Sequence, residues 1–547
     1  MAFEWLGHYA LGLRFSERYA WNRPMVRNQV SIATHSWRAA KGSMRGRYAS
    51  QSHVGHDRKP GVLSRQPALL YGSPTGNAGN PRRSGFLAMN RNRTSLVVGR
   101  WFGVFLVTLA LASAASASSK EKALYSFQGG TDGAVPAGGI VFDKQGNLYG
   151  ATQQGGGSNC SPMAACGTVY QLVPPAKQGD PWTENLLHVF QGKRLNDGEF
   201  PSGGVIADGL GNIYGTSAYG GTGDCVLLGI KGGCGTVFEL SPPKTKGGQW
   251  SYAILYSFKD SRDGYVPWGD LVFDGAGNLY GATYFGGGEG TTCDAAYQYC
   301  GTVFKLSPPK TKGGKWAKKL LHSFAGGTDG ANPNGGLVLD GKGVVYGTTF
   351  AGGNQGCKTS SSIGCGMVYA LSPPAIEVGV WTEKTVHRFT GGNDGAQPGG
   401  GVIIDAQGSL YGGAEGGPKA GGIIFRSAPV GGDHWKETVL YAFTVAPQGG
   451  YDPTVARFDK NGNIYGTTNV GPGESLAGSV FRLKPSGRSG GTWTISILHG
   501  FTNKPDGAFP NVPLISDKFG NLYGSTQTGG KGQSCQGGCG TVFEVSP

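Results

Sequence analysis

Four histidines sit at matching places in this sequence. His188, His322, His387 and His499 each follow a tryptophan (Trp182, Trp316, Trp381, Trp493) by six residues and precede a phenylalanine by two. Histidine titrates nearest to neutral pH and is the usual proton carrier or metal ligand, so such a set invites acid–base or metal chemistry. The pattern returns twice with tyrosine in that place, at Trp250/Tyr256 and Trp435/Tyr441. A position that accepts either ring reads as a half-buried amphipathic site in a scaffold rather than a catalytic base. With a strand period of two, the tryptophan, the histidine or tyrosine, and the phenylalanine all face one side, and they are expected to pack one repeat against the next.

A second set is acidic. Asp132, Asp197, Asp263, Asp329, Asp394 and Asp506 each open the pattern Asp-Gly-x-x-Pro, while the sixth junction, Gly449-Gly450-Tyr451-Asp452-Pro453, keeps the proline and moves the aspartate. A ring of aspartates could hold a metal or a polyol, but aspartate before glycine also serves turns by bonding its own backbone, and that reading is preferred. Aromatic residues follow in Gly-rich surroundings: Tyr219, Tyr284, Phe285 and Phe350, with Tyr297 and Tyr299 nearby. Such rings could stack on sugars or pack between neighbouring loops. Acids that break the repeat, Asp224, Glu289, Asp294, Glu415 and Glu474, qualify as catalysts by type only, and no Gly-x-Ser-x-Gly, His-Glu-x-x-His or phosphate-loop motif supports them. No catalytic residue is assigned.

Ten cysteines fall in five local pairs, Cys160/Cys166, Cys225/Cys234, Cys293/Cys300, Cys357/Cys365 and Cys535/Cys539. An even number confined to local pairs is expected to form five loop disulfides; zinc would want Cys-x2-Cys knuckles or nearby histidines, and neither is present. Each bridge closes a short loop, contributes about 2 kcal/mol or less, and mainly stiffens that loop. Neither a metal nor another cofactor is expected.

What positions all these residues is a repeat. Asp143, Asp208, Asp274, Asp340, Asp405, Asp459 and Asp517 open near copies of one stretch, clearest as Asp274-Gly275-Ala276-Gly277-Asn278-Leu279-Tyr280-Gly281-Ala282-Thr283, at spacings of 54 to 66 residues. Each unit reads as four short strands, a to d. In the third unit a is 270–273, b is 278–284 and c is 301–306, stopped by Ser307-Pro308-Pro309, because proline has no N–H for a ladder; d is 316–324. Units four and five lose the asparagine of the a–b turn, at Val344 and Ser409, so capping there is expected to differ. Seven such units suit an open solenoid or a closed propeller. The seventh stops after strand c, and Ala123-Leu124-Tyr125-Ser126-Phe127 reads as a d strand standing before the first unit. Pairing that segment with 541–545 would complete the last blade, so the expected fold is an all-β, seven-bladed β-propeller closed by its N-terminal strand.

The motifs Gly-Asn-Leu-Tyr-Gly-Ala-Thr and Cys-Gly-Thr-Val-Phe resemble the GloVer tandem repeat of secreted bacterial proteins over nearly all of residues 123–547. The Asp-x-x-Gly-Asn-Leu-Tyr hairpin is also similar, less specifically, to that of NHL-type propellers. The resemblance implies a propeller and no defined activity. In such a ring the b–c and d–a connections share the face around the channel mouth, where ligands usually bind. The b–c loops of units five and six, 414–421 and 468–477, are short and lack cysteine, so the rim should be lower there. Aromatic rings beside Asp, Asn, Ser and Thr suit a carbohydrate. The expected function is a non-catalytic binding module for an extracellular glycan. A propeller hydrolase or lyase acting on extracellular polysaccharide and a protein-interaction scaffold are the alternatives, and a monomer is expected.

Residues 1–117 hold 16 Lys+Arg and 3 Asp+Glu, leaving 32 and 31 for the remainder. The formal charge of +14 is therefore no sign of a nucleic-acid or membrane partner. Arg91, Arg93 and Arg100, the apolar run Trp101 to Leu111, and Ala115-Ser116-Ala117 follow signal-peptide order, and the run is too short to span a bilayer comfortably. The expected domains are an upstream misreading or disordered extension (1–88), a signal peptide (89–117) and the propeller (118–547), in a secreted or periplasmic protein. N-terminal sequencing of the exported protein is expected to begin at Ser118; a mature chain retaining Arg45 or Arg65 overturns this assignment.

Overall fold

The computed structural model describes residues 120–547 except 157–159, 161–165, 178, 228–229, 246, 288–299, 312, 354–355, 358–363, 377–378, 446–449, 472–475, 488–490 and 511–512. The extension and signal peptide assigned to 1–88 and 89–117 lie outside the described residues. The described residues contain no α-helix, and none of their helices is long and apolar enough to cross a membrane. They form seven antiparallel blade sheets with strand order a-b-c-d, and a small two-stranded hairpin of Val226–Leu227 and Ile230–Lys231 in the second b–c loop. The third blade consists of Tyr265–Phe273, Leu279–Phe285, Thr302–Ser307 and Ala317–Ser323. In the seventh, Lys120–Ser126 pairs with Thr541–Ser546 from Lys120↔Ser546 to Ser126↔Thr541, so the N-terminal strand closes the ring as expected.

Each a–b hairpin is capped by its leading aspartate. Asp274 Oδ1 accepts the N–H groups of Ala276 and Asn278 at 2.9 Å, and Oδ2 accepts the Asn278 amide at 2.7 Å and the Tyr280 hydroxyl at 3.1 Å. Where asparagine is missing only one bond goes. Asp340 still takes Val344 N–H at 3.0 Å and Tyr346 OH at 3.2 Å, and Asp405 takes Ser409 N–H at 2.8 Å and Tyr411 OH at 3.0 Å. In blade five the Ser409 hydroxyl instead accepts from Arg426 at 2.8 Å.

The core is seven apolar clusters, one at each junction between blades. At every junction the phenylalanine after strand d stands edge-on to the c-strand ring of the next blade. Phe258 meets Phe304 at 5.3 Å, Phe501 meets Phe543 at 5.0 Å, and Phe127, beyond the closing strand, meets Tyr170 at 5.1 Å. Such pairs contribute about 0.5–1.5 kcal/mol each beyond the area they bury. The c-strand ring lies over the glycine of its own Tyr-Gly pair: a Cβ on Gly281 would stand 2.6 Å from Phe304 Cζ, and the six equivalents give 2.3–2.7 Å. This close approach accounts for the glycine in every copy.

The tryptophans do not share the side expected of them. In the third blade Val303 faces His322 and Phe304 faces Leu320, so Leu321 is an extra residue in strand d, and all seven c–d pairings carry this register shift. One extra residue reverses the alternation. The His or Tyr and the Phe therefore face the following blade, while the tryptophan packs back on the preceding blade's b-strand tyrosine. Trp250 lies 5.7 Å from Tyr149, Trp316 6.4 Å from Tyr214, and Trp381 6.3 Å from Tyr280.

A backbone lock joins the blades as well. The residue before the proline of each d–a segment is left-handed, with φ of 49–60° at Val135, Phe200, Val266, Asn332, Gln397, Asp452 and Phe509. Such a conformation costs about 1–3 kcal/mol in a non-glycine residue unless its surroundings enforce it. At six of the seven, all but Asp452, the enforcing contact is a hydrogen bond into the preceding blade. Val135 N–H donates to Cys539 O at 2.9 Å, Phe200 to Cys166 at 3.0 Å, Val266 to Cys234 at 3.2 Å and Phe509 to Ala477 at 2.8 Å. The proline then covers the glycine that follows the acceptor, where a Cβ on Gly301 would meet Pro333 Cδ at 2.4 Å.

Gly281→Ala is expected to destabilise the protein by about 1–3 kcal/mol, as over-packing does, and Phe304→Leu in the same chain should recover part of the loss. Unfolding in denaturant measures both, and a Gly281→Ala variant as stable as the parent contradicts the packing described.

Candidate functional site

The b–c and d–a connections meet on one face. Gly287 N–H donates to Ser261 O at 2.7 Å, and the same bond joins Gly156 to Gly130, Gly221 to Asp197, Gly353 to Gly327 and Gly530 to Asn503. The six Asp-Gly aspartates turn into these connections and meet the histidine or tyrosine of their own d strand. Asp132 accepts Tyr125 OH at 2.6 Å, and Asp263 accepts Tyr256 OH at 2.8 Å. Asp197, Asp329, Asp394 and Asp506 take the Nε2 of His188, His322, His387 and His499 at 3.0, 3.1, 3.2 and 3.0 Å. Tyrosine and histidine interchange because each places one donor at the same carboxylate. Burial opposes ionisation of Asp394, yet the His387 and Thr390 bonds overcome it and hold the carboxyl below its usual range.

A third group, not singled out in the sequence, reaches each pair from the following blade, in five of the six cases two residues after its tryptophan. Tyr252 stacks on His188 at 3.7 Å, Lys318 pairs with Asp263 at 2.8 Å, and Glu184 accepts Tyr125 OH at 3.3 Å. Glu383, Glu437 and the N-terminal strand's Glu121 hold the same place. Burial pushes the Glu121 carboxyl up to about 7 and that of Glu184 to about 9. The signal that could have found them is the recurrent Trp-x-Glu.

The aromatic candidates divide. Phe285 and Phe350 are only 1% and 3% exposed, and Phe285 stacks on Tyr265 at 5.4 Å. Tyr219 and Tyr284 are half-buried, Tyr219 5.9 Å from Phe200 and Tyr284 6.3 Å from Trp268. All four stand in b strands rather than in loops: the two phenylalanines belong to the core and the two tyrosines are half-buried. The disulfides Cys160–Cys166, Cys225–Cys234, Cys357–Cys365 and Cys535–Cys539 are present, with Cα atoms 5.0–5.3 Å apart. Cys300 is also disulfide-bonded, while its expected partner Cys293 lies outside the described residues, as do Glu289, Asp294, Tyr297, Tyr299 and Glu474. Asp224 is exposed and pairs with Lys193 at 2.6 Å.

The face departs from its sevenfold pattern between blades five and six. Glu415 stands at the end of the blade-five b strand, bridged to Ala396 by bonds of 2.9 and 2.7 Å. Asp452 takes the left-handed place before Pro453, where no other blade has a carboxylate. Tyr451, 38% exposed, donates its hydroxyl to Glu415 Oε2 at 3.4 Å. The Asn469 side chain bonds Asp452, and its own Oδ1 is shielded from solvent with no partner. Burial and the neighbouring Asp452 push Glu415 up to about 8; burial pushes Asp452 up to about 6. Both acids are thus held above the usual carboxylate range, which favours a protonated carboxyl beside an ionised one. Of this group Glu415 was picked out in the sequence, and the displaced aspartate of the sixth junction was the visible sign of the rest.

The folded chain keeps these protons where the unfolded chain has released them, so the stability they contribute is full below about pH 4 and is lost as pH rises towards 8. Glu415→Gln should flatten the decline in Tm between pH 5 and pH 9, measured against the parent. An identical decline in both places the proton elsewhere.

The chain matches the family described as the Gloeobacter/Verrucomicrobia repeat three times, over residues 110–361, 224–454 and 357–547. No curated protein matches it. Among solved structures it is similar to a protein of unknown function from Dyadobacter fermentans, at 13% identity and a TM-score of 0.38, over 78% of this chain and 98% of that one. It is also similar to a Thermus thermophilus protein named as an oxidoreductase (glucose dehydrogenase), at 14% identity and a TM-score of 0.34, over 78% and 100%. With matches that together span every blade, the chain belongs to the Gloeobacter/Verrucomicrobia repeat family.

Proposed function

We propose that this protein is an exported, non-catalytic binding module for an extracellular carbohydrate, seated over blades five and six. The observation that carries the reading is the group Glu415, Tyr451, Asp452 and Asn469, placed where the repeat pattern breaks. A protonated carboxyl beside an ionised one offers both a donor and acceptors to sugar hydroxyls, and the open Tyr451 ring offers a face for stacking. Disulfides in the b–c loops fit an oxidising compartment.

The same acids favour a second reading, a hydrolase or lyase acting on extracellular polysaccharide. A carboxyl that keeps its proton beside a carboxylate is the pairing that glycoside cleavage uses.

A glycan array followed by product analysis of each bound glycan separates these. Binding without cleavage is the expected result, and Tyr451→Ala should weaken it by about 1–3 kcal/mol if the ring stacks on the ligand. Cleavage abolished by Glu415→Gln supports the enzyme instead. If no glycan binds, a protein partner becomes the ligand; if the folded Tyr451→Ala variant binds with unchanged affinity, the site lies elsewhere on the face.

A further inference from the structure

Glu121, on the strand that closes the ring, reaches back to the blade-six pair His499 and Asp506. One ligand atom from each of the three lies within 4.8 Å of the other two, and among the described residues this is the one such group. That convergence of ligand atoms is what sets it apart from the other pairs of the described residues. Glu121 Oε1 is shielded from solvent and accepts no hydrogen bond, as is also true of Oε1 in Glu184, Glu383 and Glu437. The Asp506 carboxylate is held from behind by the Thr502 hydroxyl at 2.7 Å and its N–H at 3.1 Å, as Asp394 is by Thr390 and as a metal-ligating acid is held by outer groups.

We propose that Glu121, His499 and Asp506 bind one divalent cation of the zinc class, which clasps the first strand to the sixth blade. An imidazole nitrogen with two carboxylate oxygens is a donor set such ions prefer, leaving the fourth position for water. Bonds of about 2.0–2.2 Å would draw the three atoms slightly together and replace the His499–Asp506 contact of 3.0 Å. The ion thereby joins residues far apart in sequence and adds stability by binding only the closed ring.

Isothermal titration of the untagged full chain with ZnCl2 tests this, because the described cysteines are all bonded and cannot compete. The expected result is one tight site per chain and a Tm raised by zinc but not by magnesium. His499→Tyr adopts the Tyr–Asp pair found beside Asp132 and Asp263, so it should fold with the metal-free Tm of the parent and lose the zinc response. Glu121→Gln should weaken binding at least tenfold. No zinc binding by the parent, or binding equally tight in both variants, overturns the proposal.

Discussion

The fold depends on a hydrogen bond that reaches from one blade into the next and holds its donor in a conformation it would otherwise avoid. A valine, phenylalanine or glutamine at positive φ ahead of a proline is a poor local choice. It persists because the carbonyl of the previous blade's loop waits for its N–H and the glycine behind that carbonyl leaves room for the proline ring. Neither half is stable in the absence of the other. The disulfide in most b–c loops ends at the acceptor residue, so stiffening the loop also fixes the carbonyl on which the next blade's entry depends.

Once that lock is set, the side chains fall into two services. The Phe, the c-strand ring and the glycine beneath it fill the junctions, while the His or Tyr with its Asp ties strand d to the d–a segment that follows. Both services recur around the ring, which leaves chemistry to the places where the recurrence fails. Asp452 is such a place: it keeps the left-handed backbone of its counterparts and substitutes a carboxylate for an apolar or amide side chain. Scaffold and site are thus written on the same residue, one in the main chain and the other in the side chain.

Much of this was legible in the sequence. The spacing of the aspartates counted the blades, the orphan segment 123–127 announced the closure, and the His/Tyr exchange gave away a structural position. What escaped depended on one residue of register or on a torsion. The extra residue at Leu321 and its counterparts turned the tryptophans to the opposite side, and no composition signal marks such a bulge. The aromatic candidates erred in the other direction. Phe285 and Phe350 sit in Gly-rich text that reads as loop, but the b strands run on to include them and turn them into the clusters between blades. The partnership of Glu121 with His499 joins the two ends of the sequence and could emerge only once the ring was closed.

That closure also has a meaning in time. A chain made from its N-terminus presents Lys120–Ser126 before every other strand of the ring, yet the partner of this strand, Thr541–Ser546, comes after all the others. In the interval the first blade shows an uncovered flank, with Phe142 lacking the ring of Tyr523, and the first strand is an unpaired edge of the kind that adds to any sheet it meets. Two unfinished copies could exchange first strands and complete each other's seventh blade with the same bonds a single copy makes. Whether the product is one ring or two interlinked ones would then be decided by concentration during synthesis, since the finished contacts are alike in both.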